Sequence, residues 1–387
     1  MDISTICVHG CDKKHDTTGA VSVPIFSSST FAHPGVGQST GFDYSRTQNP
    51  TKEHLEHTVT ALEGGAETIA FSSGMAAVSA LMELFSPGDH IVASYDLYGG
   101  TFRIFSRISE KNGIKISYAV NENEIAEKIT PATKAIFIET PTNPMMNVVD
   151  IAAVAQLKKN AQNSANKILL IVDNTFLTPI FQKPLSLGAD IALHSATKYL
   201  GGHNDALAGM LTVKENELAE RLRYISKTTG ACLSPFDSFL IIRGIKTLAI
   251  RMERHNKTAL AVAKWLSQKT KTTPCKIKKV YYTGLQDHPN YAVSCHQASG
   301  FGGMISFTVD SEQTAKSILE NVKIIKYAES LGGTESLITY PLMQTHSDLP
   351  EDERERRGIN ACLLRLSVGL ESENDIIEDL KQALGEI

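Results

Sequence analysis

The residues best suited to chemistry lie in Asp190-Ile-Ala-Leu-His194-Ser195-Ala-Thr197-Lys198-Tyr-Leu-Gly201-Gly202-His203. An apolar run ends in Ser-x-Thr-Lys, and a glycine pair follows. A lysine just past a buried strand sits at the edge of the core. Desolvation or a neighbouring cation can lower its ammonium pKa there and make it a nucleophilic amine. Ser195 and Thr197 alternate with Ala196, so both hydroxyls can face one anion. The plain alternative is a surface lysine at a strand end. Ser195-x-x-Lys198 also matches a β-lactamase pattern, but the Ser-Asp-Asn and Lys-Thr-Gly tripeptides of that class do not occur.

Five further clusters fit around such an amine. Leu169-Leu-Ile-Val-Asp173-Asn174-Thr175 ends an apolar run in a carboxylate, which is costly to bury unless a cation meets it. An enzyme using pyridoxal phosphate needs such an Asp to keep the ring nitrogen protonated; an Asp capping the next turn is the alternative. Phe71-Ser72-Ser73-Gly74-Met75-Ala76 reads as strand, turn and helix start. Free N–H groups at a helix start bind anions, and glycine lets a phosphate approach. Neither a P-loop nor a Gly-x-Gly-x-x-Gly fingerprint is present, which argues against nucleotide phosphates. In Asp96-Leu-Tyr98-Gly99-Gly100-Thr101 the aromatic can stack on a flat cofactor. In Phe42-Asp43-Tyr44-Ser45-Arg46 the guanidinium can bind phosphate, with a packed Tyr44 and a solvated Arg46 as the alternatives. Leu363-Leu364-Arg365-Leu366-Ser367 puts an arginine inside an apolar run. That arginine needs a partner, either a substrate carboxylate or an internal acid.

The surrounding pattern supplies the scaffold. Strands are predicted at Glu67–Phe71, His90–Ser94, Ala135–Ile138, Leu169–Val172, Ile191–His194 and Gly209–Val213. Helices are predicted at Gly74–Leu84, Thr101–Lys111 and Ile151–Asn160. The alternation implies a mainly parallel α/β sheet, with ligands at the carboxyl ends of its strands. Beyond about 245, a long helix from Lys246 to Gln268 is followed by strands Gly303–Val309 and Lys323–Tyr327 and a helix near Ser372–Leu384. This stretch reads as a smaller α+β unit that closes one side of the cleft. Residues 1–48 carry few periodic apolar positions and read as an arm leaning on the body or on another subunit.

The whole chain has 387 residues, enough for two or three domains. Lys plus Arg number 38 against 42 Asp plus Glu, so no basic excess supports nucleic-acid binding. No secretory signal or membrane-spanning run is evident. The six scattered cysteines suit a reduced, cytoplasmic protein. Cys7, His9 and Cys11 lack two further ligands at metal-site spacing, so no metal is expected.

Taken in order, several motifs resemble those of the Cys/Met-metabolism (trans-sulfuration) family of pyridoxal-phosphate enzymes. They are Tyr44-Ser-Arg46-x-x-Asn49-Pro50-Thr51, Ser-Ser-Gly74-Met75, Asp96-x-Tyr98-Gly-Gly-Thr, Glu139-Thr-Pro-Thr-Asn143-Pro, Asp173-Asn-Thr, His194-Ser-Ala-Thr-Lys198-Tyr-x-Gly-Gly-His and Arg365-x-Ser-x-Gly. The match covers nearly the whole chain. The resemblance implies a type I, aspartate-aminotransferase-like fold with an arm at 1–48, a cofactor-binding domain at 49–245 and a small domain at 246–387. It also implies a homotetramer built as a dimer of dimers.

The resemblance further implies that Lys198 bonds the cofactor and shuttles protons, that Asp173 pairs with the ring nitrogen, and that Tyr98 stacks on the ring. Ser73, Gly74, Met75, Ser195 and Thr197 would hold the phosphate, with Tyr44 and Arg46 reaching in from a neighbouring subunit. Arg365 and Asn143 would hold the substrate α-carboxylate, with Ser330 nearby. Glu329 matches the position that selects the distal substrate group, and an acid there suits γ-chemistry on cystathionine. Gly100 replaces the cysteine of methionine γ-lyases. Asn204, where lyases often have Ser, and the run Thr339–His346 look more like γ-synthases. The expected small amino-acid chemistry is therefore γ-replacement on O-acyl-L-homoserine by cysteine. Cystathionine γ-lyase comes next, then β-lyase or O-acetylhomoserine sulfhydrylase, and remotely a non-catalytic binding protein.

Overall fold

A computed structural model describes residues 1–10, 18–162, 167–347 and 349–385. Cys11 lies outside these. The first sheet is built from β1 (Glu67–Phe71), β2 (His90–Ser94), β3 (Lys115–Ala119), β4 (Thr133–Glu139), β5 (Leu169–Asp173), β6 (Ile191–Ser195) and β7 (Gly209–Val213). Their spatial order is β1-β7-β6-β5-β4-β2-β3. The contacts joining β3, β2, β4, β5 and β6 are parallel, and β7 runs antiparallel to both β6 and β1.

Burial on both faces explains the continuous apolar runs. Ile91, Ala93, Phe137, Ile171 and Leu193 pack on one side with Val78 and Leu81 of helix Gly74–Met82 and Leu222 of helix Asn216–Thr229. Val92, Ile136, Ile138, Leu170 and Val172 pack on the other with Ile151 and Val154 of helix Ile151–Ala161. Since β1 points the same way as β4, β5 and β6, the turns after Phe71, Glu139, Asp173 and Ser195 all emerge at one edge. Gly209 opens β7 at that edge, opposite Phe71 on one side and Ser195 on the other.

A second sheet contains β8 (Ile277–Tyr281), β9 (Met304–Val309), β10 (Lys326–Tyr327), β11 (Leu337–Thr339) and β12 (Leu363–Ser367), in the order β10-β11-β12-β9-β8. Helices Leu248–Lys269, Glu312–Asn321 and Glu373–Ala383 cover one face. Strand alternation explains the odd arginine: Leu364 and Leu366 join that helix-covered core, so Arg365 and Ser367 face the other way. The mainly parallel α/β architecture with a second, smaller α+β unit is as expected.

Several expectations change in detail. The helix expected at Thr101–Lys111 starts at Gly99, and its turns widen to i→i+5 bonding over Ile104–Ser109, where Phe105 meets Phe137 edge-on at 5.2 Å. The strand expected from Lys323 begins only at Lys326. The Asp379 carboxylate accepts from the N–H groups of Lys323, Ile324 and Ile325 at 2.8, 2.9 and 2.9 Å, so they cannot enter a ladder.

The arm is not wholly without structure. Ile3–His9 is a helix capped by Asp2, and Cys7 is buried against Leu55 and Val59 of helix Pro50–Glu63. The five described cysteines are free thiols, and no metal-binding cluster occurs among the described residues. No described helix is long and apolar enough to cross a membrane.

Candidate active site

The edge where the strand ends converge, together with β12, encloses a cavity of about 250 Å³. It brings together Ser73, Gly74, Met75, Tyr98, Asn143, Asp173, Ser195, Thr197, Lys198, Glu329, Ser330 and Arg365. Twelve side chains singled out in the sequence therefore meet in one place.

Lys198 leaves β6 on a tight turn in which the N–H of Gly202 donates to its carbonyl at 2.7 Å. Arg251 clamps this turn from behind, donating to the Tyr199 and Gly244 carbonyls, each at 2.8 Å. Gly202 has φ +73, and a Cβ there would lie 2.1 Å from Arg251 Nη1, so both its φ and its lack of a side chain are required. Lys198 Nζ donates to Ser330 Oγ at 2.8 Å. Burial, and then the Arg365 charge, lower the Lys198 pKa to about 8, against a weaker opposite pull from Glu329. A large share of the amine is then neutral near pH 8, which nucleophilic capture of an aldehyde requires.

Asp173 ends β5 beside Glu139, which ends β4, because the two residues pair in register. Burial raises the Asp173 pKa. The hydroxyl and N–H of Thr175, at 2.6 and 3.0 Å, and the charge of His194 pull it back. Glu139 is raised well above the carboxylate range, by burial first and then by the charge of Asp173. Two adjacent buried acids cannot both ionise cheaply. Glu139 is raised the further of the two, so Asp173 is the better placed to carry a charge. No Lys or Arg pairs with it among the described residues, so a cationic ring nitrogen would supply the missing partner.

Glu139 was not among the candidate site residues, although it stood in a quoted motif. Its oxygens accept from the N–H groups of Tyr98 and Asn143, each at 2.9 Å, and so orient both loops. The signal was an acid at the end of a buried strand, the same signal that marked Asp173.

The end of the cavity at Ser73 and Gly74 is largely bare backbone. Helix Gly74–Met82 opens there, and Ser73 caps it by accepting from Ala76 N at 3.0 Å. A Cβ on Gly74 would lie 2.9 Å from Ser195 Cβ, and one on Gly209 would lie 2.1 Å from the Ser73 carbonyl oxygen. The Thr197 hydroxyl donates to the Ala208 carbonyl at 3.2 Å and accepts from its N–H at 3.0 Å. Tyr98 and Met75 crowd Gly100, where a Cβ would approach their side chains to 2.6 and 2.7 Å.

Arg365 is 1% exposed. It donates to Asn143 Oδ1 and the Ser330 carbonyl at 2.9 Å each and to Thr339 Oγ1 at 3.0 Å. Burial lowers its pKa to about 10. Its Nε is buried without a partner, and it makes no salt bridge among the described residues. The internal acid that could have explained it is not there. A buried guanidinium held by neutral groups is prepared for an incoming carboxylate.

Tyr44 and Arg46 do not line this cavity. Arg46 stacks on Tyr44 at 5.5 Å and donates to the Lys227 carbonyl, near the end of helix Asn216–Thr229. Asn204 is also occupied locally: it sits at φ 55 and donates to Glu335 at 3.0 Å.

An amine with a lowered pKa, a carboxylate awaiting a cation, an open helix start and a guanidinium held only by neutral groups fit pyridoxal phosphate and an amino-acid substrate. A fold and donor set of this kind define an enzyme that works through that cofactor. The chain belongs to the Cys/Met metabolism PLP-dependent enzyme family, whose model matches residues 4–385. It is 46% identical to cystathionine gamma-lyase of Bacillus subtilis over 389 residues, covering 100% of each chain. It is 47% identical to cystathionine gamma-synthase of Haemophilus influenzae over 388 residues, covering 100% of this chain and 98% of the relative. A cystathionine beta-lyase of Lactococcus lactis is 46% identical over 384 residues, covering 99% and 98%. Among solved structures, cystathionine gamma-lyase from Lactobacillus plantarum complexed with L-serine superposes with a TM-score of 0.95 at 41% identity, covering 100% of this chain and 99% of that one. The protein is therefore a PLP-dependent enzyme of trans-sulfuration.

Proposed function

We propose that the chain catalyses γ-replacement on an O-acyl-L-homoserine by L-cysteine, giving cystathionine and a free carboxylate. The observation that carries the reading is Glu329, an exposed carboxylate at the cavity wall next to Ser330, which accepts from Lys198. An acid there favours a substrate or product with a second ammonium group.

When bound, pyridoxal phosphate supplies an electron sink for charge developing on substrate carbon. Lys198 Nζ would hold the cofactor's aldehyde end, and its amine would take the substrate Cα proton and help to move a Cβ proton. Asp173 would hold the ring nitrogen in its protonated form, and Tyr98 would cover the ring. Ser73, Gly74, Met75, Ser195 and Thr197 would hold the phosphate. Arg365, steadied by Asn143, grips the α-carboxylate. In the net reaction the Cγ–O bond breaks, the acyl carboxylate leaves with its electron pair, and the cysteine thiolate forms the Cγ–S bond.

We also propose a homotetramer in which Tyr44 and Arg46, outside their own chain's cavity, complete a neighbour's. Residues 1–48, 49–245 and 246–387 are the corresponding arm, cofactor-binding domain and small domain.

A second reading is cystathionine γ-lyase, which would turn cystathionine and water into cysteine, ammonia and 2-oxobutanoate. The full-length 46% identity to the Bacillus subtilis gamma-lyase supports it as much as the 47% identity to a gamma-synthase supports the first reading. The Asn204 feature that pointed towards synthases loses weight, because its side chain is bonded to Glu335. Product analysis with O-acetylhomoserine, O-succinylhomoserine and cystathionine, each with and without cysteine, tests the choice. Cystathionine formed from an acylhomoserine only with cysteine supports the synthase. 2-Oxobutanoate formed mainly from cystathionine overturns it in favour of the lyase.

A further inference from the structure

The chain between β11 and β12 reaches back to the cavity. Thr345 on that stretch lines it together with Tyr98. A Cβ on Gly99, the residue after Tyr98, would lie 2.6 Å from the Thr345 carbonyl oxygen, so the stretch rests directly on the Tyr98 turn.

The far end of the same stretch carries a charge that the proposed reaction does not use. Arg357 follows the short helix Glu351–Arg356, and its side chain is fully buried. Its Nε, Nη1 and Nη2 have no hydrogen-bond partner among the described residues. The one acid in ion-pair range among them, Glu353, stands 3.7 Å away. Taking a guanidinium out of water on such terms is costly, and an apolar side chain of similar length fills the space without that cost. What meets this charge is aromatic. Arg357 Cζ lies 4.7 Å from the ring centre of Tyr95 and 4.7 Å from that of Phe102. Ring faces attract a cation at such distances, and more strongly away from water.

Tyr95 and Phe102 bracket Tyr98 in the chain. Tyr95 directly follows β2. Phe102 lies in helix Gly99–Arg103, and its N–H donates to the Tyr98 carbonyl at 3.0 Å. Phe102 also packs against the cluster of Leu349, Ile359 and Leu363, which belongs to the same stretch as Arg357. The guanidinium therefore grips the Tyr98 turn on either side of Tyr98 itself.

We propose that Arg357 is a positioning residue for substrate: laid on Tyr95 and Phe102, it seats the chain between β11 and β12 on the Tyr98 turn and so fixes the spacing between Thr345 and Tyr98. This rests on the reading of the cavity as the place where the amino-acid substrate binds. Arg357 does not line the cavity and acts through the two rings.

The test compares Arg357→Met, Arg357→Lys and Arg365→Gln with the parent. Met fills the space without a charge, and Lys keeps a cation for the rings. Steady-state kinetics give KM and kcat for cystathionine or O-acetylhomoserine, whichever the enzyme turns over. Hydrogen exchange of the apoprotein follows the peptides that hold Thr345 and Tyr98, and the melting temperature is read alongside. Arg357→Met is expected to raise KM roughly tenfold, as the loss of a desolvated cation–ring contact implies, with kcat little changed. Exchange should quicken in those two peptides and not elsewhere, and Arg357→Lys should recover most of both effects. If Arg357→Met keeps the parent's KM and exchange while Arg357→Lys loses them, packing and not charge holds the stretch, and the proposal is overturned. A lower melting temperature in Arg357→Met with KM and local exchange unchanged overturns it too. If Arg365→Gln raises KM and Arg357→Met does not, only this inference fails. If Arg365→Gln leaves KM unchanged, the reading of the cavity itself fails. Should Arg357→Met not fold, Tyr95→Leu, which removes one ring face, is held to the same outcomes.

Discussion

Lys198 Nζ donates to Ser330 Oγ across 2.8 Å, joining the turn after β6 to a residue just past β10. Ser330 holds a positive φ of 88, a conformation that costs a non-glycine residue about 1–3 kcal/mol. Arg365 stabilises it by donating to its carbonyl. Lys198 and Arg365 are therefore coupled through one strained serine.

That coupling gives a pH prediction. Burial and the Arg365 charge lower the Lys198 pKa from its ordinary value to about 8. The folded apoprotein therefore disfavours the ammonium form, and stability rises with pH between about 8 and the unfolded value as that proton is lost. The rate at which apoprotein captures pyridoxal phosphate should rise with pH and level off above about 8. In Arg365→Met the cation is gone, so the midpoint should move up, as read by stopped-flow absorbance. A midpoint that stays in place would show that Arg365 does not act on Lys198.

Arg365→Gln removes the group expected to hold the substrate carboxylate. Losing one partner of a buried charged contact costs about 2–5 kcal/mol. kcat/KM should fall ~10²-fold or more, mainly through KM, while cofactor retention changes little. Steady-state kinetics with parallel cofactor absorbance check this.

How much of this was legible beforehand depended on burial. β1, β2 and β7 could be read with their observed limits because both faces are covered and short apolar runs mark them. β3, with its Lys115 exposed at the sheet edge, gave no such run and was not anticipated. Helix Pro50–Glu63 was hidden because Lys52, Glu56 and Glu63 occupy buried positions, which erases the usual apolar stripe. In the site, residues were legible where chemistry and motif coincided, as at Lys198, Asp173 and Arg365. The Glu63–His194 contact was not, because it joins residues 131 apart in the chain.

Gly209→Ala tests the bare-backbone phosphate end. The new Cβ would fall 2.1 Å from the Ser73 carbonyl oxygen and 2.9 Å from Gly74 Cα, both backbone atoms. The Ser73–Gly74 turn must shift, with an overpacking cost of roughly 1–3 kcal/mol. Inorganic phosphate binding to the apoprotein, measured by calorimetry, should weaken several-fold, and the melting temperature should fall.

Glu329→Leu should act chiefly on specificity, with a small downward effect on the Lys198 pKa. The carboxylate is exposed, so its attraction for a distal ammonium is worth about 0.2–1 kcal/mol. KM for cystathionine should rise roughly two- to fivefold, with no change for an acylhomoserine that lacks the second ammonium. Competition assays between the two substrates measure the ratio.

The most direct test of the whole account is borohydride reduction of the holoenzyme followed by peptide mass mapping. The account predicts loss of the yellow absorption and a single pyridoxyl adduct on Lys198, with neither adduct nor turnover in Lys198→Ala. An adduct on another lysine, or turnover retained in Lys198→Ala, would contradict it.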